Sequence, residues 1–220
     1  MFEPRLQAIL DRLHATSEAQ MPEMGAYFGR RAQAGELDWK GLDADAHRFM
    51  ADKLVALERD KALFCHQMCR ALRARRVVEI GTSYGVSTLY LAAAVRANGG
   101  GLVIGTEYEP AKAAAAQAHF EEAGLADLVD LRVGDLRETL KTVEGPIDFV
   151  LMDIWTEMAR MAIEMVGSHL RTGAVVIADN VSQFAEAYTD YFDYIRKTPG
   201  CFTTMTLPFE GGLEMSVRVS

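Results

Sequence analysis

The stretch VVEIGTSYGVSTLYLAAAV (77–95) decides the fold. VVEI is a short apolar run of the kind a buried strand presents. Gly81 to Gly85 form a tight turn, and an apolar helix follows over 86–97 until Gly99-Gly100-Gly101 stops it. Strand, glycine turn and helix in that order are the opening unit of a parallel βαβ sheet. Gly81 and Gly85 turn the chain sharply and let its backbone approach a ligand. The spacing is not the G-x-G-x-x-G of dinucleotide enzymes, because Ser83 stands where the second glycine would be.

Downstream the pattern repeats. Strands are predicted at 102–107, 128–133, 147–153 and 174–179. Helices are predicted from Pro110 to Gly124, near 135–142, over 157–169 and over 183–198. The segments 201–209 and 213–220, joined across Glu210-Gly211-Gly212, read as a hairpin, so the sheet should end in an antiparallel strand. Upstream, 5–15 reads as a short amphipathic helix, and 21–42 as a looser segment punctuated by Pro22, Gly25, Gly29, Gly35 and Gly41. Residues 43–75 read as two helices, with Asp43 as an N-cap. The expected architecture is α/β: a Rossmann-like, doubly wound, mostly parallel seven-stranded sheet with a C-terminal antiparallel hairpin and an N-terminal helical extension. Residues 1–75 form that extension, a lid or dimer element, and 76–220 the ligand-binding domain.

Composition narrows the function. The chain has 220 residues, half of them hydrophobic, and a net charge of −8. Residues 1–76 carry +2 and residues 77–220 carry −10. So acidic a C-terminal part argues against nucleic acid as a partner, and no apolar run approaches the ~18 residues of a membrane span. Cys65, Cys69 and Cys201 have no framework spacing, which fits a reduced compartment. Cys65 and Cys69, i,i+4 on a helix, read as small core residues. The segment MFEPRLQAIL lacks a signal-peptide layout. A cytoplasmic location is expected, with a homodimer as a possibility the N-terminal extension suggests.

In an open parallel sheet, ligands bind beyond the carboxyl ends of the strands. Here those ends read Glu79-Ile80-Gly81, Glu107, Gly134-Asp135, Asp153 and Asp179-Asn180. An aspartate at a strand end can simply cap the next helix, but a whole series of acids on one rim points to a site. Glu107, closing the second strand, is placed to accept hydrogen bonds from two ribose hydroxyls. Asp153, Asp179 and Asn180 offer two carboxylates and an amide oxygen. These are hard ligands for Mg²⁺, Mn²⁺ or Ca²⁺ rather than zinc.

The motifs E-x-G-x-x-x-G-x-S (79–87), T-E-Y-E-P (106–110), F-V-L-M-D (149–153) and V-I-A-D-N-V (176–181) resemble those of class I S-adenosylmethionine (SAM) methyltransferases. Within that class, residues 55–220 are most similar to the metal-dependent catechol and caffeoyl-coenzyme A O-methyltransferases. The resemblance implies that Glu79, Gly81, Ser83 and Ser87 hold the methionine portion of SAM. It implies Glu107 at the ribose, Tyr108 beside the adenine, Gly134 and Asp135 at the adenine edge, and Trp155 flanking cofactor and substrate. Asp153, which also borders the cofactor, would bind a divalent cation, usually Mg²⁺, together with Asp179 and Asn180. The implied reaction moves a methyl group from SAM to a hydroxyl of a small catechol-like or phenolic acceptor. A cation lowers the pKa of such a hydroxyl, and positioning and electrostatics do most of the rest. These families commonly carry a lysine as base three residues after the first metal aspartate. Here that position is Thr156, and no catalytic base is assigned. Two alternatives stay open: a metal-independent SAM methyltransferase with another small acceptor, and a non-catalytic SAM-binding subunit. Ser83 counts against a nicotinamide oxidoreductase.

The remaining residues read as packing. His47, His66 and His119 lie on helices without ligand spacing, and Met21, Met24, Met158, Met161 and Met165 read as gap-filling core. Tyr188, Tyr191 and Tyr194 line one helix face. Tyr27-Phe28 and Trp39 read equally as lid, core or dimer contacts.

Overall fold

A computed structural model of the chain describes residues 2–38, 41–197 and 201–220. Three helices lead: α1 (Pro4–Gln33), α2 (Ala44–Met50) and α3 (Arg59–Ala71). Strands and helices then alternate through β1 (Arg76–Ile80), α4 (Val86–Ala97), β2 (Leu102–Glu107), α5 (Pro110–Ala123), β3 (Val129–Val133) and α6 (Leu136–Thr139). They continue with β4 (Ile147–Met152), α7 (Thr156–Gly167), β5 (Leu170–Asp179), α8 (Thr189–Lys197), β6 (Phe202–Leu207) and β7 (Leu213–Arg218).

The described strands form one seven-stranded sheet in the order β3-β2-β1-β4-β5-β7-β6. β3, β2, β1, β4 and β5 pair in parallel; β7 runs antiparallel to both β5 and β6. The expected doubly wound sheet and hairpin are therefore present, with one change. The antiparallel strand is not the edge: β7 sits one place inside, and β6 takes the rim. β6 (FTTMTL) has no buried residue, while half of β7 is buried, so the polar, threonine-rich strand faces water.

Apolar residues pack on both sheet faces. On one face α4 is sandwiched so closely that every residue from Val86 to Val95 is buried. Its small LAAAV run permits that approach. Leu6, Ile9, Leu10 and Leu13 of α1 join this same core with Leu89 and Leu91. The other face buries Ile163 and Val166 of α7, Tyr188, and Tyr191 and Ile195 of α8. Cys65 and Cys69 are buried core residues, as their spacing suggests.

Three local readings differ. α1 runs unbroken through Pro22, Gly25 and Gly29, where the composition suggests a loose segment. Tertiary bonds flank the proline: before it, Ser17 Oγ accepts from Ala56 N at 3.1 Å and Gln20 Oε1 from Leu54 N at 2.8 Å; after it, Tyr27 OH donates to Asp45 Oδ2 at 2.9 Å. Packing here overrides propensity. Residues 181–188 are turns rather than the start of α8. The amides of Ser182 and Gln183 both donate to Gly211 O at 2.9 Å, tying this backbone to the β6–β7 loop. Met24 is buried but Met21 is 55% exposed, so Met21 fills no core gap. Among the described residues no helix is long and apolar enough to cross a membrane.

Candidate functional site

The carboxyl ends of β1, β2, β4 and β5 meet around the turn at 81–85. Gly81 (φ 98°) and Gly85 (φ 82°) both need the left-handed region. Their close approaches are to protein as well. A Cβ on Gly81 would lie 2.0 Å from the Asp153 carbonyl oxygen, and one on Gly85 would lie 2.5 Å from the Phe120 ring. The turn is thus wedged against the end of β4 on one side and α5 on the other, where the sequence alone suggested only room for a ligand. Thr82 N donates to Thr106 O at 2.8 Å and fixes the turn to β2.

Ser83 also has a positive φ, 49°. Its amide donates to Glu107 Oε2 at 2.7 Å, and the Glu109 amide donates to Glu107 Oε1 at 2.7 Å. Both oxygens of the half-buried Glu107 are thereby aimed by backbone, and each keeps a lone pair for a further donor. Tyr108 stands on the lip, 70% exposed. Gly134 (φ 129°) ties back to β2 through its amide on Glu107 O at 2.9 Å. Asp135 caps α6, accepting from Arg137 N at 2.8 Å, and pairs with the Arg137 side chain. That guanidinium, with the Arg137 amide, holds the Asp135 carboxyl low, at about 2.

Glu79 is fully buried beneath the turn. Thr82 Oγ1 donates to its Oε2 at 2.9 Å, and Thr88 Oγ1 donates to the same oxygen. Among the described residues Oε1 has no hydrogen-bond partner. Burial raises the Glu79 pKa, while the hydroxyls of Ser87, Thr88 and Thr82 oppose that rise. An orphaned buried carboxylate oxygen beside a glycine turn suits a cationic group such as an amino acid's ammonium.

Strand register explains the second half of the site. Met152 of β4 pairs with Ala178 of β5, so Asp153 and Asp179 follow side by side. Asp153 N donates to Ile80 O at 3.0 Å. Burial, then the charges of Asp179, Glu58 and Glu79, push the Asp153 carboxyl well above the usual carboxylate range. Asp179 is likewise raised by burial. Asn180 has a φ of 57°, and its Nδ2 donates to Asp179 Oδ2 at 2.9 Å. Asn180 Oδ1 faces Gly211, where a Cβ would come within 2.4 Å; a half-turn of the amide exchanges its oxygen and nitrogen. Among the described residues no three His, Cys, Asp or Glu side chains form a metal-holding group. A cation here would rest on two carboxylates and one amide.

Sequence reasoning missed Lys61. This lysine is fully buried, with Nζ 2.7 Å from Asp179 Oδ1 and 2.9 Å from Glu58 Oε2. Burial works against its charge, but Asp179 and then Glu58 outweigh that and raise its pKa. A readable signal existed: Lys61 lies i,i+4,i+8 with the buried Cys65 and Cys69 on α3, and a lysine on a buried stripe requires an acid partner.

The mouth is formed by α1, α2 and α7. Trp155, 40% exposed at the start of α7, meets His47 of α2 edge-on at 5.5 Å. Tyr27 of α1 stacks on Phe49 at 3.8 Å, with Phe28 edge-on to Tyr27 at 5.1 Å. Tyr84 OH donates to Asp52 O and Lys112 Nζ to Met50 O, both at 3.0 Å, clasping the segment after α2 onto the glycine turn. Thr156 opens α7. His66 and His119 bond the backbone carbonyls of Tyr90 and Tyr84 at 2.9 Å, a packing role. Trp39 lies outside the described residues. A separate hollow of about 510 Å³ between α8 and β6, lined by Val181, Phe192, Arg196 and Thr206, contains none of the expected ligands.

Comparison with known proteins agrees with this architecture. Residues 78–181 match a methyltransferase-domain family. The chain is 38% identical over 128 residues to a catechol O-methyltransferase of Mycobacterium tuberculosis (strain ATCC 25618 / H37Rv). That match covers 58% of this chain and 57% of the relative. It is 30% identical over 135 residues to a catechol O-methyltransferase of Niastella koreensis, covering 58% of each. Both matches thus span little more than half of the curated relatives' length. The cofactor-bound crystal structure of Rv0187 from MTB superposes with a TM-score of 0.69 at 28% identity, covering 90% of this chain and 96% of that one. The fold is that of the class I methyltransferases. By sequence the chain is similar to the SAM-dependent O-methyltransferases among them.

Proposed function

We propose that the chain is a SAM-dependent O-methyltransferase acting on a small catechol-like or phenolic acceptor, assisted by a divalent cation. One observation carries the reading. The carbonyl of Asp153 is pressed against Gly81, so the turn expected to hold the methyl donor abuts the strand end expected to hold the cation. Glu79, Gly81, Ser83 and Ser87 would receive the methionine portion, with the unpaired Glu79 Oε1 facing its ammonium. Glu107, already aimed by two amides, would accept from the ribose hydroxyls, with Tyr108, Gly134 and Asp135 around the adenine. Asp153, Asp179 and Asn180 would hold the cation, preferably Mg²⁺, and Trp155 would flank the acceptor. When bound, SAM supplies an electrophilic methyl on a sulfonium, and a divalent cation makes a coordinated hydroxyl more acidic. The protein's share is orientation and exclusion of water. The N-terminal segment 1–75 contributes the aromatic mouth and serves as the lid side of the site.

The test is S-adenosylhomocysteine formation from SAM with a panel of catechols and monophenols, with and without chelator. Turnover lost on chelation and restored by Mg²⁺ is expected. Turnover indifferent to chelator would shift the reading to a metal-independent methyltransferase, which Thr156 favours. SAM binding without turnover across the panel would make the chain a non-catalytic subunit.

A further inference from the structure

We propose that Lys61 is a positioning residue that selects the cation: it restricts Asp179 to one coordinating oxygen and so favours Mg²⁺ over Ca²⁺. This rests on the cation site proposed above, with Asp179 and Asn180 among its ligands. The Lys61 side chain is 1% exposed and the Asp179 side chain 2%. Nζ donates to Asp179 Oδ1 at 2.7 Å, and the ammonium is held from its other side by Glu58 Oε2 at 2.9 Å. The other oxygen, Oδ2, accepts from Asn180 Nδ2 at 2.9 Å. The half-turn that would present the Asn180 amide oxygen to a cation releases Oδ2 and leaves Oδ1 with Lys61.

A cation reaching this carboxylate therefore meets one oxygen free of the ammonium; at Oδ1 it would stand against the positive charge of Lys61 Nζ, 2.7 Å from that oxygen. Chelation through both oxygens would crowd the ion against a buried ammonium or push it from its partner, which leaves an uncompensated charge in the core. Mg²⁺ takes carboxylates through single oxygens, keeps several waters and demands a small octahedron. Ca²⁺ gathers six to eight oxygens and readily uses both oxygens of a carboxylate. Lys61 does not touch the acceptor in this account; it acts through Asp179.

The experiment is isothermal titration of the metal-stripped full chain with MgCl₂, MnCl₂ and CaCl₂, without SAM or acceptor. Wild type should bind Mg²⁺ and Mn²⁺ at least about tenfold more tightly than Ca²⁺. Lys61→Met should bring the Mg²⁺/Ca²⁺ ratio about tenfold closer to unity, chiefly by tightening Ca²⁺. Lys61→Arg should restore the wild-type ratio. If Lys61→Met does not melt cooperatively, Lys61→Gln takes its place beside Lys61→Arg. An unchanged ratio in a folded neutral variant, or a wild type that does not discriminate, overturns the role of Lys61 alone. A wild type that binds none of the three ions overturns the cation site itself, and this role with it.

Discussion

At the β2 end of the acidic rim, Glu107 accepts two backbone amides, one on each oxygen, and borders solvent. At the β4–β5 end, Asp153 and Asp179 are crowded together with Glu58 and Glu79, and a buried ammonium supports Asp179. The first acid is held by neutral dipoles and needs no counter-charge. The second pair exists only because a cation is built into the fold beside it. Acids that look equivalent as strand-end letters are therefore different objects: one is a positioned acceptor, the others a charge cluster compensated in part by a buried lysine.

The largest effect should fall on the charged end. Asp179→Ala leaves Lys61 buried with, among the described residues, only the half-exposed Glu58 as its ion-pair partner. Breaking a buried pair from one side costs about 3 kcal/mol. Urea denaturation should show a loss of this size, with cation-dependent turnover gone. A loss under about 1 kcal/mol would place the two ends on an equal footing.

Glu107→Ala should do the reverse. The Ser83 and Glu109 amides turn to water at small cost. Two charge-assisted bonds to ribose, each about 1.5–3 kcal/mol, are lost, weakening SAM binding by roughly a hundredfold or more by calorimetry. An unchanged dissociation constant would remove Glu107 from the cofactor site.

Glu79→Gln probes the cofactor end from below. Its pKa is raised by burial. A raised carboxyl contributes stability that is fully present below its unfolded value near 4.5 and is lost as pH rises through the folded pKa. The ionised wild type is thus penalised at neutral pH and the amide is not. Glu79→Gln should melt higher than wild type at pH 7, with the advantage shrinking towards pH 4.5, while SAM binding weakens. A variant that melts lower at pH 7 would show that the hydroxyls of Thr82 and Thr88 require the carboxylate.

The smallest effect is expected from Thr156→Lys, at the first turn of α7. The positive end of the helix depresses the pKa of an ammonium placed there, which suits it to accept a proton. A gain of roughly two- to tenfold in catechol turnover is expected. No gain would mean that the family's lysine has no work to do in this site.

The alternation of β1 to β5 with helices was legible because strands buried on both faces must read as apolar runs. The rim acids were legible because topology brings every parallel strand's carboxyl end to one edge. What escaped reading depended on partners distant in sequence. α1 continues past Pro22 because residues near 55 hold it. β7 inserts beside β5 because its face is the more buried one. Lys61 escaped because Glu58 and Lys61, three apart, look like an ordinary exposed helix pair. Only the stripe it shares with Cys65 and Cys69 distinguishes it.

The missing side chain at position 81 has a mechanical consequence. With the Asp153 carbonyl where a methyl group would otherwise stand, main chain alone gauges the gap between the two halves of the crevice. No rotamer, loop or lid can widen or narrow it without unpicking the sheet. The aromatic mouth of α1 and α2 is thereby free to vary while the spacing between the two strand ends stays fixed.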